Sequence, residues 1–321
     1  MDVLSNVLAL LRTKGTLYGR LELSSPFGFE FTGGPGICLI VSRGSCFLAA
    51  SGRDYPVPLV AGDFVLLPEP QSYSLRSRLD LPVRHIRTVT TLEAFRQSHL
   101  IAAGGGGSLT SIIAGGFTFD TPESRWLVKH LPPVLHLSST RDGTPEWFQA
   151  TLQFVAMELA NNLPGTAAVV DRLAEVLFIQ ALRLLVQPPY QDERPNWLRA
   201  LAHPQIAKSM QLMHEAPERS WTVSELASSV SMSRSGFAKQ FRELVGTPPS
   251  SYLTQWRLVR AANMICSDVL TTSSAVASAV GYESDSAFGK VFRRFMGVSP
   301  GRYRQDHCSL MQETSKGDPR G

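Results

Sequence analysis

Phe237-Ala238-Lys239-Gln240-Phe241-Arg242 returns as Phe288-Gly289-Lys290-Val291-Phe292-Arg293, 51 residues later. Just downstream, Gly246-Thr247-Pro248-Pro249-Ser250-Ser251-Tyr252 is matched at the same offset by Gly297-Val298-Ser299-Pro300-Gly301-Arg302-Tyr303. Seven positions agree: two Phe, Lys, Arg, Gly, Pro and Tyr. Aromatics at i and i+4 make one apolar stripe on a helix. Glycine ends that helix and proline opens the next. Lys and Arg fall off the stripe, free to meet solvent or phosphate. Upstream of each copy the spacing predicts a shorter helix, Thr222–Val230 and Ser273–Val280. Their buried positions are Leu226, Ala227 and Val230, then Val276, Ala277 and Val280. A short helix, a tight turn and a basic helix, with a small Ala at the crossing, form a helix-turn-helix pattern. Two of them, joined by one long helix over Pro249–Met264, are far more specific than one.

These residues resemble a known family. Trp221-Thr222-Val223-Ser224-Glu225-Leu226-Ala227 through Met232-Ser233-Arg234-Ser235-Gly236-Phe237 is similar to the DNA-binding domain of AraC/XylS-type transcription regulators. So is Val280-Gly281-Tyr282-Glu283-Ser284-Asp285-Ser286-Ala287-Phe288 through Gly297–Arg304. The resemblance covers roughly residues 200–306. Ser273 departs from it, standing where such regulators usually carry an aliphatic residue, which implies a looser start to that helix. The resemblance implies that each second helix enters a major groove of double-stranded DNA. That assigns Ser233, Arg234, Ser235, Lys239 and Gln240 to the first reading helix. Glu283, Ser284, Asp285, Ser286 and Lys290 fall in the second. Arg234 suits a guanine edge and Gln240 an adenine. Arg242, Arg293 and Arg294 suit phosphate, which positions without specifying. For Glu283 and Asp285 the alternative is capping the helix N-terminus.

Moving toward the N-terminus, Gln187–Pro195 is Pro-rich and polar and reads as a linker. Before it, apolar residues recur at helical spacing over 145–160 and 166–186, with Pro164-Gly165 between, an antiparallel pair. From residue 16 to about 120, short apolar runs such as Ile37–Val41, Cys46–Ala50 and Phe64–Leu67 alternate with Gly/Pro/Ser breaks, the pattern of a sandwich or barrel. Gly104–Gly107 reads as a flexible loop and lacks the context of a phosphate-binding loop. Val57–Pro68 resembles the cupin-type sensor domain of many such regulators. Phe29, Phe31, Leu39, Val41, Phe64 and Leu66 are the candidates for lining an effector pocket.

Charge separates the halves. Residues 195–321 hold 15 Lys+Arg against 10 Asp+Glu, whereas residues 1–194 hold 16 against 17. The basic part suggests an anionic partner. Cys38–Ala50 contains no His, and Glu69, Gln71 and Tyr73 follow Pro68 where a metal-binding cupin commonly has His. No metal and no cofactor are therefore expected, nor catalytic residues. The four cysteines form no CxxC pair. Cys38 and Cys46 flank Arg43-Gly44, a candidate hairpin turn that would put their thiols on opposite faces if Ser42 pairs Ser45. They read as small buried hydrophobes in a reducing compartment, with redox sensing as the alternative. No apolar run approaches 18 residues, and the N-terminus lacks signal-peptide features, so a cytoplasmic protein without membrane contact is expected.

The expected fold is multidomain α+β. Residues 1–140 form a cupin-like β-barrel sensor and 141–187 a helical dimerisation segment, a role implied by the resemblance. Residues 188–198 are linker, 199–306 an all-α domain with two helix-turn-helix motifs, and 307–321 a tail. The expected function is sequence-specific transcription regulation in response to a small molecule or other signal. The resemblance also implies a homodimer and a contact with RNA polymerase. The alternatives are a cupin enzyme with a DNA-binding appendage, and a DNA-binding protein whose barrel is purely structural.

Overall fold

The computed structural model describes residues 2–8, 13–34, 36–69, 72–119, 128, 131–139, 146–161, 163–186, 196–267 and 272–306. They fall into two compact units. One comprises Thr13–Asp120 and Leu131–Gln191; the other comprises Met1–Arg12, Thr121–His130 and Asp192–Gly321.

The first unit is built on two sheets. The larger contains β1 (Thr13–Ser24), β3 (Gly36–Arg43), β6 (Phe64–Leu67), β9 (Leu100–Gly104), β10 (Leu109–Phe119) and β11 (Leu135–Leu137), in the order β11-β6-β3-β10-β1-β9. The smaller contains β2 (Gly28–Thr32), β4 (Ser45–Ala50), β5 (Val57–Val60), β7 (Ser72–Arg76) and β8 (Arg84–His85), in the order β5-β4-β7-β2-β8. Alternating residues fill the space between them: Leu21, Leu39, Val41 and Ile112 from one sheet meet Phe29, Leu48 and Leu75 from the other. On the opposite face of β6, Phe64 turns its ring edge-on to Phe148 at 5.7 Å. Phe148 belongs to α3 (Glu146–Asn161), which pairs with α4 (Thr166–Val186) across the Pro164-Gly165 turn.

The Arg43-Gly44 turn is not a hairpin. It carries the chain from β3 in one sheet to β4 in the other, so Ser42 and Ser45 do not pair. Both Cys38 and Cys46 are free thiols. Burial pushes Cys38 up to about 11 and Cys46 up to about 12, leaving no thiolate at neutral pH to act as a redox nucleophile. Gly104–Gly107 is also not a loose loop. The amides of Gly105 and Gly107 donate to the carbonyls of Ser24 and Ser25, and that of Gly106 to the Ser24 hydroxyl. A Cβ on Gly104 would run into the Ser24 carbonyl oxygen, so only glycine fits that turn.

The sequence did not announce the segment between β8 and β9. It forms a short 3-10 helix (Ile86–Thr88) and α2 (Leu92–Ser98), which cover one end of the barrel core.

The second unit holds α1 (Val3–Leu8), α5 (Trp197–Leu201), α6 (Pro204–Glu215), α7 (Val223–Ser229), α8 (Arg234–Val245), α9 (Pro249–Ser267), α10 (Ser273–Ala279) and α11 (Asp285–Met296). Residues 300–306 add a final helical turn. The sequence reading put residues 1–140 in the sensor, yet α1 packs on α6 of the helical unit, with Val3 and Val7 buried. Residues 187–195 and 307–321 lie outside the described residues. Asn196–Leu198, within the stretch read as linker, are buried and begin α5, which Asn196 caps.

Candidate nucleic-acid interface

Each motif is set by its caps. In the first, the Thr222 hydroxyl accepts from the Glu225 amide at 3.1 Å while the Glu225 carboxylate accepts from the Thr222 amide at 2.8 Å. Those bonds from Thr222 hold the Glu225 carboxyl below its usual range. The turn brings Met232 N–H onto Ala227 carbonyl, with Ser231 at φ +56°. Ser233 caps α8 by accepting from Gly236 N–H at 3.2 Å, and Gly246 ends the helix at φ +87°. The second motif repeats this with Thr272, Gly281 (φ +83°), Ser284 and Gly297 (φ +83°). There Ala275 replaces Glu225, so the capping box is missing and Ser273 is exposed.

The 51-residue offset holds only from the reading helices onward. The first helices repeat at 50, as Ala227/Ala277 and Val230/Val280 show, because the second turn is one residue longer. The crossing residues Ala227 and Ala277 are both buried, as are Phe237, Phe241, Phe288 and Phe292.

On the outer faces, Ser235, Lys239 and Arg242 form one stripe of α8, and Ser286, Lys290 and Arg293 form its counterpart on α11. Arg234, Lys239, Arg242, Lys290, Arg293 and Arg294 are all exposed, and none makes an ion pair among the described residues. Not every assigned residue is equally available. The hydroxyls of Ser233 and Ser284 are engaged as caps, which leaves Glu283 and Asp285 exposed beside the second cap rather than serving as it. Gln240 is half-buried, its amide 2.7 Å from His203 Nε2. Lys239 and Arg242 border an open depression of about 760 Å³ together with Pro249 and Ser250 of α9. Glu243 shares that border.

Three contacts that sequence patterning missed fix the two motifs to one another. Arg257 of α9 donates to the carbonyls of Pro217 and Arg219, ahead of the first motif. Its guanidinium also lies 6.0 Å from the ring of Tyr282, in the turn of the second. Gly281 in that same turn leaves no room for a Cβ, which would stand 2.5 Å from the Glu218 carbonyl oxygen. Deeper, His214 lies flat on Trp256 at 3.6 Å and meets the Tyr252 hydroxyl at 2.7 Å. Burial, reinforced by Arg260, pushes His214 down to about 3, so it is neutral at physiological pH.

Of the six pocket candidates, Phe31 borders a cavity among the described residues of the barrel unit, and the other five do not line it. Phe29, Leu39 and Val41 are packed into the core. Phe64 and Leu66 lie on the face of β6 turned to α3. Two histidines of this unit are structurally engaged: His136 lies 3.0 Å from Asp63, and His85 lies 2.8 Å from Thr32. Desolvation would raise the Asp63 carboxyl, but bonds from His136, Ser139 and Val60 outweigh it and hold it low. Among the described residues, no group of three or more His, Cys, Asp or Glu is placed to hold a metal ion. No described helix is long and apolar enough to cross a membrane.

Two family models match the chain: a cupin over residues 2–187 and a helix-turn-helix domain over residues 226–306. An AraC-like transcription regulator of Streptomyces antibioticus is 36% identical over 310 residues, 95% of this chain and 99% of that protein. A second, from Streptomyces lividans, is 34% identical, over 95% of this chain and 98% of that protein. Among solved structures, the DNA-binding domain of AdpA in complex with a target DNA is 28% identical, covers 35% of this chain and 96% of that one, and has a TM-score of 0.31.

Proposed function

The chain belongs to the AraC-like transcription regulators, and from that premise we propose that α8 and α11 read two adjacent major-groove segments of promoter DNA. The observation that carries this is the pair of capped helices with matching exposed, unpaired cations. Within them, Arg234, Ser235, Lys239, Ser286 and Lys290 face the bases, while Arg242, Arg293 and Arg294 hold phosphate. Gln240 joins the first group only by leaving His203. Ser233 and Ser284 act through the helix ends that they cap. The remaining assigned residues, Glu283 and Asp285, disfavour phosphate next to the second helix start and so sharpen its placement.

The barrel unit senses a small molecule and is not an enzyme; the relatives are named as regulators, which does not favour a cupin enzyme with a DNA-binding appendage. The α3–α4 pair dimerises two copies. Its Trp147, Phe154, Met157, Val169 and Val176 are exposed apolar side chains, which a monomer in water would leave unburied. The regulator acts in the cytoplasm and contacts RNA polymerase at the promoter. The test is binding of the full chain to DNA selected from a random pool, titrated with salt. Neutralising about 4–6 phosphates gives a log–log slope of about −4 to −5. Salt-independent binding would contradict the reading.

A further inference from the structure

The barrel centre is closed by packing: Phe29, Leu39, Leu48, Leu75 and Ile112 have no exposed surface. Among the described residues, a usable space lies at one end. A cavity of about 210 Å³ opens between the two sheets, under the cover formed by the 3-10 helix and α2. Its apolar walls include Leu21, Ile37, Phe95, Ile101 and Ala114.

Tyr73 is the informative residue. Its side chain borders the cavity, and the residue is only 6% exposed. Its hydroxyl makes no hydrogen bond among the described residues. It is not among the fully enclosed polar atoms left without a partner, so it opens onto the cavity, where a ligand can accept from it. Burial raises the phenol well above its ordinary range, so the group stays an O–H donor. Its ring stacks on Phe31, with centroids 4.7 Å apart and planes 4° from parallel. The donor is thus held rigidly beside the space.

Charge narrows the ligand. No Asp or Glu borders the cavity, whereas Arg87 does. The Arg87 guanidinium makes no ion pair or hydrogen bond among the described residues. His85 is already occupied. One ring nitrogen accepts from Arg87 N–H at 3.1 Å, and the other lies 2.8 Å from the Thr32 hydroxyl, so the ring latches the cover to β2. Size narrows it further. A dry cavity of about 150 Å³ holds benzene, so 210 Å³ takes one ring with one short substituent.

Resting on the reading of this unit as a sensor, we propose that the cavity is the effector site and that its ligand is a compact apolar acid. It is one apolar ring, or an aliphatic body of equal size, bearing a single carboxylate. The apolar body fills the space between the sheets. The carboxylate accepts from Tyr73 and faces Arg87. A ligand cation would meet Arg87 with no carboxylate to offset it.

The experiment uses the full chain with phenylacetate as the probe, and phenethylammonium and ethylbenzene as isosteres with a cationic end and no polar end. Binding is read by calorimetry and by melting temperature, which a ligand of the folded state raises. Phenylacetate is expected to raise the melting temperature and to bind at least ten-fold tighter than either isostere. Tyr73→Phe should weaken phenylacetate about five- to ten-fold while leaving the ligand-free melting temperature unchanged or higher, because the deleted hydroxyl has no partner to lose. Arg87→Gln should narrow the gap between phenylacetate and ethylbenzene. Ala114→Leu, which fills the space, should abolish binding in a chain that still melts cooperatively. No phenylacetate binding at millimolar concentration overturns the proposal, as does equal binding of the cation. So does a Tyr73→Phe chain that loses stability but not affinity. Salt-dependent DNA binding by the same ligand-free protein is measured alongside. If that persists while phenylacetate fails to bind, the cavity assignment falls and the DNA-binding reading stands.

Discussion

Acid should loosen the DNA-binding unit through His214. Its imidazole is buried, stacked on Trp256, bonded to Tyr252 and close to Arg260. In the folded chain it titrates at about 3, and in the unfolded chain at about 6.5. Between those values the unfolded chain binds a proton that the folded chain refuses. Stability is therefore intact above about pH 6.5 and falls as the pH drops toward 3. Relative to pH 7.5, the loss from this one group is about 2 kcal/mol at pH 5 and about 3 kcal/mol at pH 4. His214→Phe preserves the stack and removes the titrating nitrogens, at a cost of about 1 kcal/mol at pH 7.5 for the lost bond to Tyr252. The assay is urea unfolding of the full chain at pH 7.5, 5 and 4, followed by tryptophan fluorescence, with DNA affinity measured in parallel. The variant should lose less stability on acidification than the parent, by about the amounts above. Equal losses in the two chains would mean that His214 is solvated or already charged, and the reasoning would fail.

Arg234→Ala should cost about 1–3 kcal/mol on the cognate site and relax preference at one base pair, whereas Arg293→Ala should weaken all DNA alike and lower the salt slope by about one; a panel of single-base operator variants separates them. Gly281→Ala should destabilise by about 3 kcal/mol, since it adds a clash with Glu218 backbone to the left-handed strain, while Gly297→Ala, with open space around it, should cost only about 1–2 kcal/mol. Thermal melting of the two variants checks the contrast. Phe154→Glu combined with Met157→Arg should leave a folded monomer by light scattering; an unchanged dimer would remove α3 from the interface.

The helical third was legible because its signals are local. Phe237 and Phe241, Gly246 and Pro249 lie within one helix and its exit, and the same set recurs at Phe288–Pro300. The strands at Ile37–Val41, Cys46–Ala50 and Phe64–Leu67 were legible from the same kind of run. What failed depends on where the chain goes next. Gly44 at φ +78° suits a hairpin and a sheet-to-sheet crossing equally well, so Cys38 and Cys46 were placed in one sheet when they lie in two. Among the pocket candidates, Phe64 and Leu66 turn to α3 because β6 has two apolar faces, and alternation cannot say which one meets that helix. Tyr73, Arg257 and the Gln240–His203 contact depend on partners about forty residues or more away in the chain. No spacing rule exposes them. The docking of α1 on α6 is of the same kind: two valines in a six-residue helix carry no address.

The most direct measurement is a hydroxyl-radical footprint of the full chain on its selected DNA site. Two helices spaced by α9 and locked by Arg257 should protect two major-groove segments on one face of the duplex, about 10 bp apart and so roughly 34 Å along the axis. Protection of a single segment, or of two segments at variable spacing, would contradict the claim that both motifs read DNA as one rigid unit.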